Sequence, residues 1–230
     1  MKQAIKRLIP SRLKTAAKAA LRNYRIRRGV HAISNLNEGE LPTRAMLQTL
    51  SLGWGNDGYA ANLDYLQEVA KNAATTSGPI LECGSGLTTL LLGMLAGRRG
   101  VVVRSLEHSP EWRQRIAAVL TENQISNVEV LSSPLRDYGD FAWYDPPLQK
   151  LPEHFRLVVC DGPPGITKGG RYGLLPVFGP RLPGGTVIML DDADRPGELE
   201  LVNRWQCEVD IAAEFFNKPA GSFATLVKRS

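Results

Sequence analysis

The sequence predicts an α/β fold: a doubly wound, mostly parallel seven-stranded sheet, closed by a C-terminal antiparallel hairpin and preceded by a basic helical arm. Three observations carry this expectation. From Gly78 onward, short apolar, β-branched runs alternate with helical stretches, as in strands joined by crossover helices. Few polar positions interrupt those runs, as expected of strands buried on both faces. The last two runs, "CEVDIAAEFF" and "GSFATLVKR", are joined by the turn-like "NKPA". At 230 residues the chain suits one such domain with an extra segment. The reading divides it into an arm, residues 1–40, and a sheet domain, residues 41–230.

The arm stands apart by charge. Residues 1–31 contain Lys2, Lys6, Arg7, Arg12, Lys14, Lys18, Arg22, Arg25, Arg27 and Arg28 and no acid. The whole chain is +5, so the remainder is −5. The pI of about 9.2 therefore belongs to the arm and says little about the body's ligand. After Pro10, Ser11 is a plausible N-cap. Leu13, Ala16, Ala17, Ala20, Leu21 and Tyr24 then recur at helical spacing, with basic residues between them. Three readings fit: adsorption to an anionic membrane surface, packing on the body or a second subunit, and contact with nucleic acid. The scarcity of aromatics among the charges speaks against the third. No apolar run is long enough for a membrane span, and no unbroken apolar stretch of a secretory signal appears. Three cysteines, an odd count, fit reduced thiols in a cytoplasmic setting. A peripheral place at the membrane is the variant of that setting.

Residues 32–60 read as loop-rich, followed by a helix from near Tyr59 with Leu63, Leu66, Val69 and Ala70 on its apolar face. "PILEC" is the first strand and "TTLLLGMLAG" the helix after it. "GVVVRSLEH", "NVEVLS", "FRLVVCD" and "GTVIMLDD" are the next four strands. The helices "PEWRQRIAAVLTEN" and "LLPVFGPRL" come between, and another begins near Pro196. "FAWYDPPLQKLPEHF" reads as an inserted loop, with Trp143 and Tyr144 near an acceptor cleft.

In an open parallel sheet, ligands bind at the carboxyl ends of the strands. Four of the five strand ends carry acids: Glu82, Glu107, Asp161, and Asp191 with Asp192. Carboxylates are costly there without partners, which calls for a cationic or hydroxyl-rich ligand or a metal. Gly84 and Gly86 let the backbone turn sharply and approach a ligand. Glu107 follows Gly86 at about the 20-residue spacing at which an acid holds ribose hydroxyls. Thr89 stands where a dinucleotide loop has its third glycine, and no Gly-Lys-Ser/Thr follows. A nucleoside without phosphates fits better than a pyrophosphate.

"LECGSGLTTLLLG", "SLEHSPEW", "LVVCDGPPG" and "GGTVIMLDDADR" resemble, in order, the motifs of class I S-adenosylmethionine-dependent methyltransferases, which have a Rossmann-like sheet. The resemblance covers roughly residues 50–230. It implies that Glu82, Gly84, Ser85 and Gly86 surround the methionine part of S-adenosylmethionine. It places the ribose on Glu107 and the adenine beside His108 and near Ser133, and counts Asp161 among the cofactor-binding residues. Trp54 to Asp57 would cover cofactor or acceptor.

Within that group the pattern is closest to catechol-type O-methyltransferases, in which a hard cation such as Mg²⁺ binds the acceptor hydroxyl. Asp161, Asp191 and Asp192 occupy the corresponding positions, although Asp192 stands where Asn is usual. Lys168 takes the place of the lysine base, from a longer loop. Metal-free transfer is the alternative, with Asp161, His108 or Lys168 positioning or deprotonating the acceptor. Asp192 and Asp194 as caps of the following helix, and Asp161 as a turn former, are the structural alternatives. Arg171 and Lys168 near Asp161 suggest an anionic, sugar-acid-like acceptor among small-molecule or glycan-type acceptors. "YDPPL" is similar to a motif of nucleic-acid base methyltransferases. It precedes the fourth strand rather than following it, and Leu148 replaces its aromatic, so nucleic acid is disfavoured as a partner. Aminopropyl transfer and a non-catalytic, membrane-docked domain of the same fold are the competing functions.

Overall fold

The computed structural model describes residues 11–55, 61–218 and 221–229. Helices α1 (Ser11–Ser34), α2 (Arg44–Trp54) and α3 (Leu63–Thr75) precede the sheet. β1 (Ile80–Cys83), α4 (Leu87–Gly97), β2 (Val103–Glu107), α5 (Pro110–Glu122) and β3 (Val128–Ser132) build its first half. β4 (Leu135–Asp137) and β5 (Ala142–Tyr144) form a separate two-stranded ribbon. β6 (Leu157–Cys160), α6 (Leu174–Phe178), β7 (Val187–Asp191), α7 (Pro196–Glu208), β8 (Ile211–Lys218) and β9 (Gly221–Lys228) complete the chain. The main sheet has seven strands in the order β3-β2-β1-β6-β7-β9-β8. β3 through β7 in that order run parallel, and β9 and β8 are antiparallel. Strand order reverses between β1 and β6, so their carboxyl ends flank the natural ligand crevice.

The strands hold this order because both faces are covered. Ile80 and Leu157 face one hydrophobic layer, with Leu90, Leu91 and Met189. Their chain neighbours Leu81 and Val158 face the other, with Trp143, Phe178 and Trp205. That is the two-residue period of a pleated strand, with both sides apolar.

Four elements differ from expectation. A helix, α2, occupies part of the segment read as loop-rich. Thr43 caps it by accepting from the Met46 N–H at 3.3 Å, and Leu47, Leu50 and Trp54 bury its inner face. The next helix begins at Leu63, where the Asn62 side chain accepts from the Tyr65 N–H at 2.8 Å. "CEVD" is not strand: Cys207 and Glu208 finish α7, whose Leu201, Val202 and Trp205 face the core. "FAWY" is β5 rather than loop, and Trp143 is fully buried in the core instead of lining a cleft. The centre of the predicted "NKPA" turn lies outside the described residues, as do Lys2, Lys6, Arg7, Asn56 and Asp57.

The end of α1 belongs to the body. Ile33 and Val30 are buried in the same layer as Leu47 and Leu50. α1 and α2 approach so closely that a Cβ on Gly53 would stand 2.6 Å from the Ile26 nitrogen. The six residues of the apolar face read from the sequence are exposed.

Candidate active site

The loop after β1 is braced from beneath. Glu82 is fully buried. It accepts hydrogen bonds from the hydroxyls of Thr88, Thr89 and Ser105, each at 2.6 Å. Thr89 Oγ1 in turn accepts from the Gly86 N–H at 2.8 Å. One carboxylate thus ties the start of α4 and the middle of β2 to the glycine loop. Gly84 has φ +89, and a Cβ there would stand 3.0 Å from the Gly162 nitrogen. The loop after β1 and the loop after β6 meet at that point, and only glycine fits. At Gly86 a Cβ would meet open space.

Glu82 therefore does not reach the ligand crevice, contrary to the expectation that it faces the methionine part. Burial pushes its pKa up to about 7, against the pull of the three hydroxyls. The unfolded chain releases this proton near pH 4.5. Between those values the folded state holds a proton the unfolded state has lost, so this group's stabilisation falls as pH rises through about 7. Thermal melts from pH 5 to pH 8 should show that decline in the wild type and a flatter profile for Glu82→Gln. Parallel profiles would place the titration elsewhere.

At the end of β2, Glu107 is nearly buried and faces the crevice. Its Oε2 accepts from the Ser85 hydroxyl at 2.7 Å and the Ser85 N–H at 3.2 Å. Its Oε1 accepts from the Ser109 N–H at 2.9 Å and lies 3.2 Å from His108 Nδ1. The carboxylate is fixed; Oε1 still offers a lone pair, and the Ser85 hydroxyl can rotate to free a place on Oε2 for a second donor. The Trp112 indole N–H donates to the Ser85 carbonyl at 2.8 Å, and Trp54 meets Trp112 edge-on at 6.1 Å. Tyr144 stands across from His108, ring centres 6.2 Å apart. These groups and the ends of β6 and β7 enclose a cavity of about 710 Å³, within the range of roughly 300–1,000 Å³ usual for small-molecule sites.

The far end of the cavity is a buried charge cluster. The Arg171 side chain is 2% exposed. It lies 3.2 Å from Asp161, 3.5 Å from Asp192 and 3.8 Å from Glu198. It also donates to the main-chain carbonyls of Asp161, at 2.6 Å, and Asp191. Arg195 meets Asp192 at 2.8 Å. Burial pushes Asp191 up to about 8, with Asp161 and Asp192 adding to the shift. Burial also raises Asp161, while Arg171 opposes that rise.

No protein-family profile matches the chain, nor does any curated protein. Solved structures do. An O-methyltransferase from Bacillus cereus in complex with SAH superposes with a TM-score of 0.57 at 13% identity, over 86% of this chain and 96% of that one. The SAH-bound methyltransferase PaMTH1 of Podospora anserina gives 0.57 at 15% identity, over 97% and 99%. A precorrin-6y C5,15-methyltransferase from Geobacter metallireducens gives 0.52 at 15%, over 76% and 96%. The chain has the S-adenosylmethionine-dependent methyltransferase fold.

Of the residues expected at the cofactor, Gly84, Ser85, Gly86, Glu107, His108 and Asp161 line the cavity. Trp54 lines it too. Two further expected residues do not. Ser133 is buried, its hydroxyl donating to the Leu131 carbonyl at 3.4 Å and its N–H to the Glu107 carbonyl at 2.8 Å. It steadies the strand end behind Glu107. Lys168 points away, donating to the Gly139 carbonyl and lying 3.7 Å from Asp137. Gly169 and Gly170 both adopt left-handed φ, 73 and 53, and they reverse the chain. Lys168 leaves the site and Arg171 enters it. Asp192 and Asp194 do not cap α7; its N-cap is Arg195, without a side-chain bond. Sequence reasoning missed Trp112 and Arg195. The acid excess at the strand ends was the signal that a buried cation such as Arg171 had to balance it.

The carboxylates of Asp161, Asp191 and Asp192 offer oxygens within 4.8 Å of one another, a spacing a divalent cation can use. The Arg171 guanidinium already stands against two of the three, and Arg195 stands against Asp192 as well. A cation would face two guanidinium charges, one of them buried and immobile. The donor set as folded does not fit a metal.

Proposed function

We propose that this chain transfers the methyl group of S-adenosylmethionine to a hydroxyl oxygen of a small, hydroxyl-rich acceptor such as a carbohydrate, without a metal. The observation that carries this reading is the Glu107 carboxylate, fixed by Ser85 and Ser109 on the wall of a cavity whose other end is Asp161. When bound, the cofactor offers a methyl group on sulfonium sulfur; the acceptor oxygen forms the new bond to carbon while the carbon–sulfur pair stays on sulfur. Glu107 would accept from the two ribose hydroxyls. His108 and Trp112 would flank the nucleoside, and Ser85 and Gly86 would leave room for the methionine part. Asp161, half-exposed in the cavity and raised by burial, would take the acceptor proton or orient the hydroxyl for in-line attack. Arg171, charged and immobile, would keep that carboxylate in place.

The same cluster speaks against the anionic acceptor suggested by Arg171 and Lys168. Arg171 is engaged by three acids and Lys168 is turned away. It also disfavours aminopropyl transfer, because a diamine would meet Arg171 and Arg195 among the acids. Calorimetric titration of the full chain with S-adenosylmethionine should show one site in the roughly micromolar to millimolar range common for enzyme substrates. A panel of sugars, phenols, amines and RNA would then be scored for release of S-adenosylhomocysteine. No heat at saturating cofactor would remove the reading; turnover on amines or RNA alone would remove the oxygen acceptor.

A further inference from the structure

α1 has two apolar faces. One is used: Ile26, Gly29, Val30 and Ile33 lie against α2 and the core. At about 100° per residue, Leu13, Ala17, Ala20 and Tyr24 fall on the side roughly opposite that seam, with Leu21 and Ala16 at its borders. Nothing in the described chain covers this second stripe. Leu13 is 60% exposed, Leu21 48% and Tyr24 59%. Arg27 borders it on one side and Arg28 and Lys14 on the other, with Lys18 farther round toward the seam, all exposed. Residues 1–31 carry ten basic side chains and no acid, whereas the rest of the chain is −5. The chain thus holds an apolar stripe flanked by basic side chains on a helix anchored in the body at its C-terminal end, Ile26 to Ile33, while residues 13–21 are exposed all round.

We propose that this outer face of α1 is a docking surface for an anionic lipid bilayer. The apolar residues are few and flanked by long basic side chains, which suits a helix lying in the headgroup region with its charges reaching lipid phosphates. Among the described residues no helix is long and apolar enough to cross a membrane, so this face rests on the surface. A second copy fits worse, because two such helices would bring like charges together. Nucleic acid fits worse too, since Leu13, Leu21 and Tyr24 would face phosphate rather than hydrocarbon. The Arg22 guanidinium donates to the Gly55 carbonyl at 2.7 Å, next to Trp54 on the cavity wall. A docked helix therefore places that rim of the cavity close to the interface.

Removing residues 1–31 is a poor test, because it takes Val30 out of the core. Point variants on the outer face avoid this. The full chain is sedimented with vesicles of phosphatidylcholine alone or mixed with phosphatidylglycerol, at low and high salt. Leu21→Glu/Tyr24→Glu and Lys14→Glu/Lys18→Glu are compared with wild type. The wild type should pellet with the anionic vesicles only, and each double variant should lose about tenfold or more in partitioning, with thermal melts unchanged. High salt should reduce wild-type pelleting. Wild-type partitioning by both variants would overturn the proposal. So would an absence of pelleting by wild type, whether accompanied by Tyr24-dependent self-association or by binding to an RNA oligonucleotide.

Discussion

Replacing Glu107 by alanine is expected to weaken S-adenosylmethionine binding about 100-fold or more. Hydrogen bonds to a charged group contribute roughly 1.5–3 kcal/mol each, and a ribose offers two hydroxyls to this carboxylate. Losing both is worth at least about 3 kcal/mol, and each ~1.4 kcal/mol is a factor of ten in affinity. The substitution has a second effect. Ser85 donates to Glu107 through both its hydroxyl and its N–H, and Ser109 through its N–H. Without the carboxylate the glycine loop loses its tie to β2. Glu107→Gln separates the two contributions. It keeps the side chain's volume and one acceptor oxygen but lacks the charge, so an intermediate loss of roughly tenfold is expected. Calorimetric titration gives the affinity, and thermal melts show whether the fold survives. Wild-type affinity in Glu107→Ala would refute the assignment of the nucleoside to this end of the cavity.

The contrast between Glu107 and Glu82 shows how far the sequence could be read. Both end or nearly end an apolar strand, and both read as ligand-facing acids. Glu82 pairs in register with Ser105, so both acids lie on the same face of the sheet, but Glu107 stands two residues nearer the carboxyl edge. That difference in depth leaves Glu82 inside the layer and brings Glu107 to the crevice, and spacing alone does not state the register between the strands. The compensating signal was present: Thr88 and Thr89 follow the glycine loop, and Ser105 faces Glu82 across the sheet in register. Three hydroxyls around one acid describe a satisfied buried group.

The parallel strands were legible because burial on both faces demands uninterrupted apolar runs, which few other structures require. Elements at the periphery were less so. α2 carries an N-cap, Leu47, Leu50 and Trp54 at helical spacing, and a left-handed Gly55 at its end. Its "SLGWG" tail nonetheless looks like loop. Gly53 is there for the close approach of Ile26, a tertiary requirement that no local pattern states. The choice between Lys168 and Arg171 depended similarly on the conformations of Gly169 and Gly170. A glycine pair permits a reversal but does not announce it.

Arg171→Ala is expected to cost about 3–5 kcal/mol, the usual penalty for stripping a buried ion pair of one partner. Asp161, Asp192 and Glu198 would lose their shared counter-charge, and the main-chain carbonyls at the ends of β6 and β7 would lose their common donor. For a chain of this size that is a fall in Tm of roughly 10 °C. The same variant tests whether the guanidinium excludes a divalent cation. With Arg171 gone, three carboxylates within 4.8 Å of one another become an oxygen cage whose remaining competing charge, the exposed Arg195, can turn to solvent. Added Mg²⁺ or Ca²⁺ should then raise the Tm of Arg171→Ala while leaving wild type unchanged. Arg171→Lys should fall between the two, since an ammonium supplies the charge but cannot span both strand-end carbonyls in one plane. Should the alanine variant fail to fold, the wild type alone decides. Calorimetric titration with Mg²⁺ should give no binding heat, and a chelator should leave methyl transfer unaffected. A wild-type protein that binds Mg²⁺, or loses activity to the chelator, would mean that cation and guanidinium share the cluster.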